Sequence, residues 1–141
     1  MAVRAVPEGF HTVTPTLTVK GAAKLIDFLK AAFGAEEKFR MPGPGGAIMH
    51  AEITIGDSIV MLSDAIRQPA TQTELYLYVT DADGTYQRAL KAGAKSLMAP
   101  VDMFWGDRFA RVEDAFGNAW GIATHKEDVA PDEMARRAAK M

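Results

Sequence analysis

The stretch ELYLYVTDADGTYQRALKAG, residues 74–93, decides the fold. Its first six residues alternate, Leu75, Leu77 and Val79 on one side and Glu74, Tyr76 and Tyr78 on the other, which is the period of a half-buried strand. From Asp81 the spacing becomes helical: Tyr86, Ala89 and Leu90 share a face, and Gly93 supplies a C-terminal stop. Working outward, the same order appears earlier. Thr14 to Val19 (TPTLTV) reads as a strand, and Gly21 to Phe33 reads as a helix with Leu25, Ile26, Leu29, Ala32 and Phe33 on its apolar face before Gly34. Val19 and Val79 are 60 residues apart, Gly34 and Gly93 are 59 apart, and the turn glycines Gly56 and Gly117 are 61 apart. Three landmarks at nearly one offset mark an internal duplication.

Each helix is followed by strand-like runs. His50 to Ile55, the turn Gly56-Asp57 and Ser58 to Ser63 form a hairpin pattern in the first half; Phe109 to Glu113, a longer turn over 114–118 and Ala119 to Thr124 repeat it in the second. Phe39 to Met41 and Lys95 to Met98 supply a further strand each, followed by Pro-containing loops. The prediction is an α+β fold in one domain: two βαβββ modules, about 12–64 and 74–125, whose curved mixed sheets form a cleft, a polar linker over 65–73, and a C-terminal helix over about 128–141.

Composition narrows the function. The 141 residues are 48% hydrophobic and 24% charged, enough apolar content for a real core without disulfide or metal support. Cysteine is absent, which excludes thiol chemistry and a disulfide framework. Lysine plus arginine number 16 against 18 acidic residues, so neither nucleic acid nor an anionic membrane finds an electrostatic footprint. Residues 1–10 lack the apolar run of a signal peptide, no 18-residue apolar stretch occurs, and the expected compartment is the cytoplasm.

Strand alternation assigns the faces. Val13, Leu17 and Val19; Ala51, Ile53 and Ile55; Val60 and Leu62; and Leu75, Leu77 and Val79 are expected beneath the helices. The opposite face carries Thr14, Thr16 and Thr18; His50, Glu52 and Thr54; Ile59, Met61 and Ser63; and Glu74, Tyr76 and Tyr78, the mixture of a small-molecule site. His50 and Glu52 share one face of one strand, where the carboxylate can fix the imidazole tautomer for acid or base work. Trp105, Asp107 and Arg108 lie in a turn-rich loop, with Trp105 and Arg108 suited to stacking on a planar or anionic ligand and Asp107 suited to pairing with Arg108 or Arg111. Ala119, Gly121 and Ala123 would leave room on the last strand, and Trp120, alternating with them, is expected in the core. His11 and His125 read as surface groups.

Met49-His-Ala-Glu52, Ile55-Gly-Asp-Ser58, Met61-Leu-Ser-Asp64, Phe104-Trp-Gly-Asp-Arg108, Asp114-Ala-Phe-Gly-Asn118 and Trp120-Gly-Ile-Ala-Thr-His125 together resemble the vicinal oxygen chelate superfamily, the glyoxalase, bleomycin-resistance and extradiol-dioxygenase group, in its PhnB-like branch. The resemblance implies paired βαβββ modules and a homodimer. In metal-dependent members it implies ligands at positions that here hold Thr14, Glu74, Met61 and Gly121, of which glutamate alone ligates well. No cofactor is therefore expected. The expected function is binding of a small organic molecule, with His50, Glu52 and Glu74 as the polar trio placed to act in any catalysis and Thr14, Met61, Tyr76, Tyr78, Trp105, Arg108 and Gly121 as ligand contacts. The alternative is a divalent-metal-dependent lyase, isomerase or dioxygenase, its ion held through His50, Glu52 and Glu74.

Overall fold

A computed structural model describes residues 2–141. The described residues fall into two compact units that meet in sequence between Thr73 and Glu74. The first contains β1 (Thr16–Val19), α1 (Ala22–Phe33), β2 (Glu36–Pro42), a short 3-10 turn (Pro44–Gly46), β3 (Ile48–Ile55) and β4 (Ser58–Asp64). The second contains β5 (Glu74–Tyr78), α2 (Ala82–Lys91), β6 (Lys95–Asp102), β7 (Asp107–Glu113), β8 (Ala119–His125) and α3 (Pro131–Ala138). The duplication is thus a βαβββ unit made twice, followed by a C-terminal helix.

Both sheets have one topology. Their orders are β1-β4-β3-β2 and β5-β8-β7-β6, with β1 parallel to β4, β5 parallel to β8, and the remaining neighbours antiparallel. The crossover helix is what allows the parallel pair, since parallel neighbours need a long connection. In the first unit α1 packs on β3 and β4, burying Ala22, Leu25, Ile26, Leu29 and Ala32 against Leu17, Val19, Ala51, Ile53 and Leu62. Each fully buried leucine or isoleucine contributes roughly 1.5–3 kcal/mol. Gly34 ends α1 in the left-handed conformation at φ 67°, where a side chain would be strained. In the second unit α2 lies over β6, β7 and β8, above Trp120, Ile122, Ala110 and Val112, all 0% exposed.

Four details differ from the sequence expectations. Val13 is 83% exposed and lies outside β1, which opens only at Thr16; Pro15 precedes it and joins the sheet through its carbonyl, which accepts from the Met61 N–H. Ile59 has the predicted face but is only 6% exposed, because the N-terminal segment runs past it at Gly9 while Lys38 Nζ sits 5.8 Å from the Phe10 ring. β6 continues through Pro100 to Asp102 instead of ending at Met98, since an edge strand with a register shift between Met98 and Val101 tolerates a missing N–H. The C-terminal helix is shorter than predicted and begins at Pro131.

Candidate functional site

The side of the second sheet away from α2 is built from Glu74, Tyr76 and Tyr78 on β5, Asp107, Phe109 and Arg111 on β7, and Ala119, Gly121, Ala123 and His125 on β8. The register sets Tyr76 beside Gly121, Tyr78 beside Ala123, and Asp107 beside His125. A turn in which the Gly106 N–H donates to the Met103 carbonyl brings Trp105 back over the same face.

Asp107 is the hub. Its carboxylate is 1% exposed, and it accepts from Tyr76 Oη at 2.6 Å, His125 Nδ1 at 2.8 Å, Trp105 Nε1 at 3.0 Å and Tyr78 Oη at 3.1 Å. Trp105 Nε1 also lies 3.1 Å from the Tyr76 hydroxyl, and His125 Nε2 lies 2.8 Å from Asp128 Oδ1. Burial alone would raise the Asp107 carboxyl, but the hydrogen bonds from Tyr76, His125, Tyr78 and Trp105 outweigh it and hold the group below its ordinary range. Burial, reinforced by the neighbouring Asp107, pushes both tyrosine hydroxyls up, so they remain protonated donors. His125 is raised by its bond to Asp107 and then by that to Asp128. The carboxylate at each ring nitrogen favours the charged form more than in a free imidazole, and in that form both nitrogens donate.

The rings pack on one another. Tyr76 stacks on Phe109 at 5.0 Å and 12°, Trp105 meets Phe109 edge-on at 5.7 Å, and Phe104 meets Trp105 at 5.0 Å. The room expected at Gly121 is therefore filled: a Cβ there would lie 2.9 Å from Phe109 and 3.1 Å from Tyr76. Glycine serves close packing of rings rather than a pocket floor. Despite this packing, Tyr76 remains 42% and Tyr78 65% exposed. A wide hollow of about 580 Å³, lined by Tyr78, Val79, Thr80, Thr124 and His125, opens at this end of the sheet.

The other predicted residues separate into distinct settings. His50 Nε2 and Glu52 Oε2 are 3.0 Å apart on β3, as same-strand spacing requires, and the Phe39 ring lies 6.2 Å from the imidazole. Met61 pairs with Glu52 and Thr16 in the first sheet. Glu74 is bonded to Arg111 in the second unit. Thr14 precedes β1, its hydroxyl 3.4 Å from the His11 carbonyl. Arg108 points to the helix side, where it bonds Asp83 of α2 and Asp102, so it stands apart from the rings. The expected pairing of Asp107 with Arg108 or Arg111 is replaced by the ring network. A narrower hollow of about 240 Å³ in the first unit is lined by Thr18, Met49, Ser63, Asp64, Ile66 and Arg67, but its carboxylate is committed to the Gly21, Ala22 and Ile48 N–H groups at 2.7–2.9 Å. Sequence reasoning passed over Asp107 and His125 as the centre of the site; the signal available was their placement on one face of adjacent strands beside Tyr76 and Tyr78.

A fold by itself does not fix a function, which is read from the site it carries. The profile of the Glyoxalase/Bleomycin resistance protein/Dioxygenase superfamily matches residues 9–122, and the chain belongs to that superfamily. An uncharacterized protein of Mycobacterium bovis is 38% identical over 146 aligned positions, covering 95% of this chain and 93% of its own length. The crystal structure of TioX from Micromonospora sp. ML1 superimposes with a TM-score of 0.71 at 26% identity, over 82% of this chain and 98% of that one. The PhnB protein from Bacillus cereus shares the fold at 19% identity, with a TM-score of 0.66 over 81% and 99% of the two chains.

The superfamily's metal chemistry can be tested against the donors present. Met61 offers a thioether, Gly121 has no side chain and its space is taken by rings, Thr14 offers a neutral hydroxyl, and Glu74 is engaged by Arg111. Such a set does not fit a divalent cation that needs three or four N or O ligands. Among the described residues no other group of three or more His, Asp or Glu side chains is gathered closely enough to hold one.

Proposed function

We propose that this protein binds a small organic molecule on the open face of its second sheet, using Tyr76, Tyr78 and Trp105 as a rigid aromatic platform and no resident metal. One observation carries the reading: a single buried carboxylate takes the polar hydrogens of all three rings, while two of the rings stay substantially exposed. Exposed tyrosines ordinarily rotate freely. Fixing them beforehand removes ordering costs of roughly 0.5–1.5 kcal/mol per side chain from binding, which is the economy of a preorganised site. The surface offers large flat apolar contacts, with the Thr80 hydroxyl and the His125 edge at the margin to orient a polar substituent.

The experiment is a ligand screen followed through the indole of Trp105, by fluorescence and by the NMR signal of its Nε1–H, on wild type and on Tyr78→Leu and Trp105→Phe. Hits that perturb the Trp105 signal and weaken at least about tenfold in Tyr78→Leu support the reading, because losing a stacked ring is worth roughly 0.5–1.5 kcal/mol beyond its buried area. Hits that leave Trp105 unmoved and respond only to His50→Ala would transfer the site to the first sheet, where the His50–Glu52 pair supports the second reading of acid–base chemistry.

A further inference from the structure

We propose that the aromatic platform selects organic cations, a protonated amine or quaternary ammonium group carried on a small apolar or aromatic skeleton. The inference rests on the platform reading and adds the charge of the ligand.

Three rings of the platform donate to the same acceptor. Tyr76, Tyr78 and Trp105 each direct an O–H or N–H at Asp107. A phenol or indole that hands its hydrogen to a carboxylate gains electron density in its π system, and the negative face of such a ring attracts a cation. The carboxylate itself is 1% exposed, so no bulk water stands between it and the rings that donate to it.

The remaining charges on this face do not cancel that field. In the strand register Lys95 of β6 stands across from Glu113 of β7 at the far end of the sheet. Arg111 is taken up by Glu74. His125 lies between Asp107 and Asp128 and, as an imidazolium, offsets one of these two carboxylates. Four carboxylates then face three cations, and the excess negative charge is at the aromatic end. Arg108, the cation that the sequence placed beside Trp105, is turned to the helix side and bound by Asp83 and Asp102, so it repels nothing on the platform. An anionic ligand would meet electron-rich rings and the net negative charge that one imidazolium leaves on the Asp107–His125–Asp128 trio. A cation meets attraction from both.

The test titrates full-length protein with three soluble probes of similar size and different charge: benzyltrimethylammonium, benzyl alcohol and phenylacetate. Binding is followed at the Trp105 Nε1–H resonance. The cation should bind at least about tenfold more tightly than the neutral alcohol, with phenylacetate weakest. Tyr78→Leu removes an exposed ring without touching the core and should abolish the cation's advantage, while Asp107→Asn, where it folds, should shrink the ratio of cation affinity to benzyl alcohol affinity. Equal binding of all three probes, each weakened by Tyr78→Leu, would overturn the charge preference and leave the platform standing. Tightest binding by phenylacetate would also overturn it. If no probe moves the Trp105 signal up to its solubility limit, the platform reading falls, and this inference with it.

Discussion

At the scale of single residues, Asp107 and Gly121 carry the most specific consequences. Asp107→Ala removes a buried acceptor and its hydrogen bonds from Tyr76, Trp105 and His125, and because Tyr76 and His125 are half-exposed and can turn to water, the expected loss is roughly 1–2 kcal/mol in urea unfolding. Gly121→Ala forces a methyl group into the Phe109–Tyr76 stack and should cost roughly 1–3 kcal/mol, with loss of the near-ultraviolet circular dichroism that ordered rings give. The two partners at the hub titrate in opposite senses. His125 is raised when folded, so its contribution is complete below its unfolded value of about 6.5 and disappears as pH rises through the folded value. Asp107 is lowered when folded, so its contribution is complete above about 3.9 and disappears as pH falls through the folded value. Melting temperature should therefore be highest between these limits and decline on the alkaline side, and His125→Gln should flatten that decline; an unchanged alkaline limb in the variant would contradict the assignment. The sequence made Tyr76, Tyr78 and Trp105 legible through alternation and loop position. It hid the hub, because Arg108 and Arg111 are Asp107's nearest charged neighbours along the chain, whereas its actual partners include residues 18 to 31 positions away.

At the scale of elements, the duplication is visible in how each crossover helix is started. Asp64 at the end of β4 accepts from the Gly21 and Ala22 N–H groups and from Ile48, fastening α1 to the sheet, and backbone donors hold its carboxyl low although burial by itself would raise it. Thr124, 60 residues later, does the same for α2: its hydroxyl accepts from the Ala82 N–H at 2.8 Å and donates to the Val79 carbonyl at 2.9 Å. Asp64→Ala removes the cap and the Ile48 acceptor together, and should cost roughly 1–2 kcal/mol, with faster amide exchange at Gly21, Ala22 and Ile48 while α2 amides stay protected. The equal offsets of Val19/Val79 and Gly34/Gly93 made strand, helix and hairpin order readable, because period and glycine position are local signals. The start of β1 was not readable, since the Thr-rich alternation runs on through Val13 while Pro15, which has no N–H to donate, interrupts the ladder although β4 continues back to Ser58. The room inferred at Gly121 failed for a related reason: alternation on β8 alone carries no information about the facing side of β7, where Phe109 sits.

At the scale of the whole molecule, two units of equal topology each end in exposed edge strands. β2 is exposed along its length, and Glu36, Glu37, Lys38, Arg40 and Pro42 make it a poor template for indiscriminate pairing. The superfamily resemblance leads us to expect a homodimer, and native mass spectrometry should report twice the 15.3 kDa chain mass; a monomer at micromolar concentration would refute it. The same spectrum, with elemental analysis, should show no stoichiometric divalent metal, and added zinc, nickel, manganese or iron should leave the melting temperature unchanged. Among the described residues no helix is long and apolar enough to cross a membrane. The shared acceptor at Asp107 also bears on descent. Its donors come from β5, β8 and the loop before β7, so a substitution at any one of them alters the value of the residues at the others. Lineages, or mutant libraries, that explore new ring combinations on this face should succeed through particular orders of paired changes, and single-site scans should underestimate how far its specificity can travel.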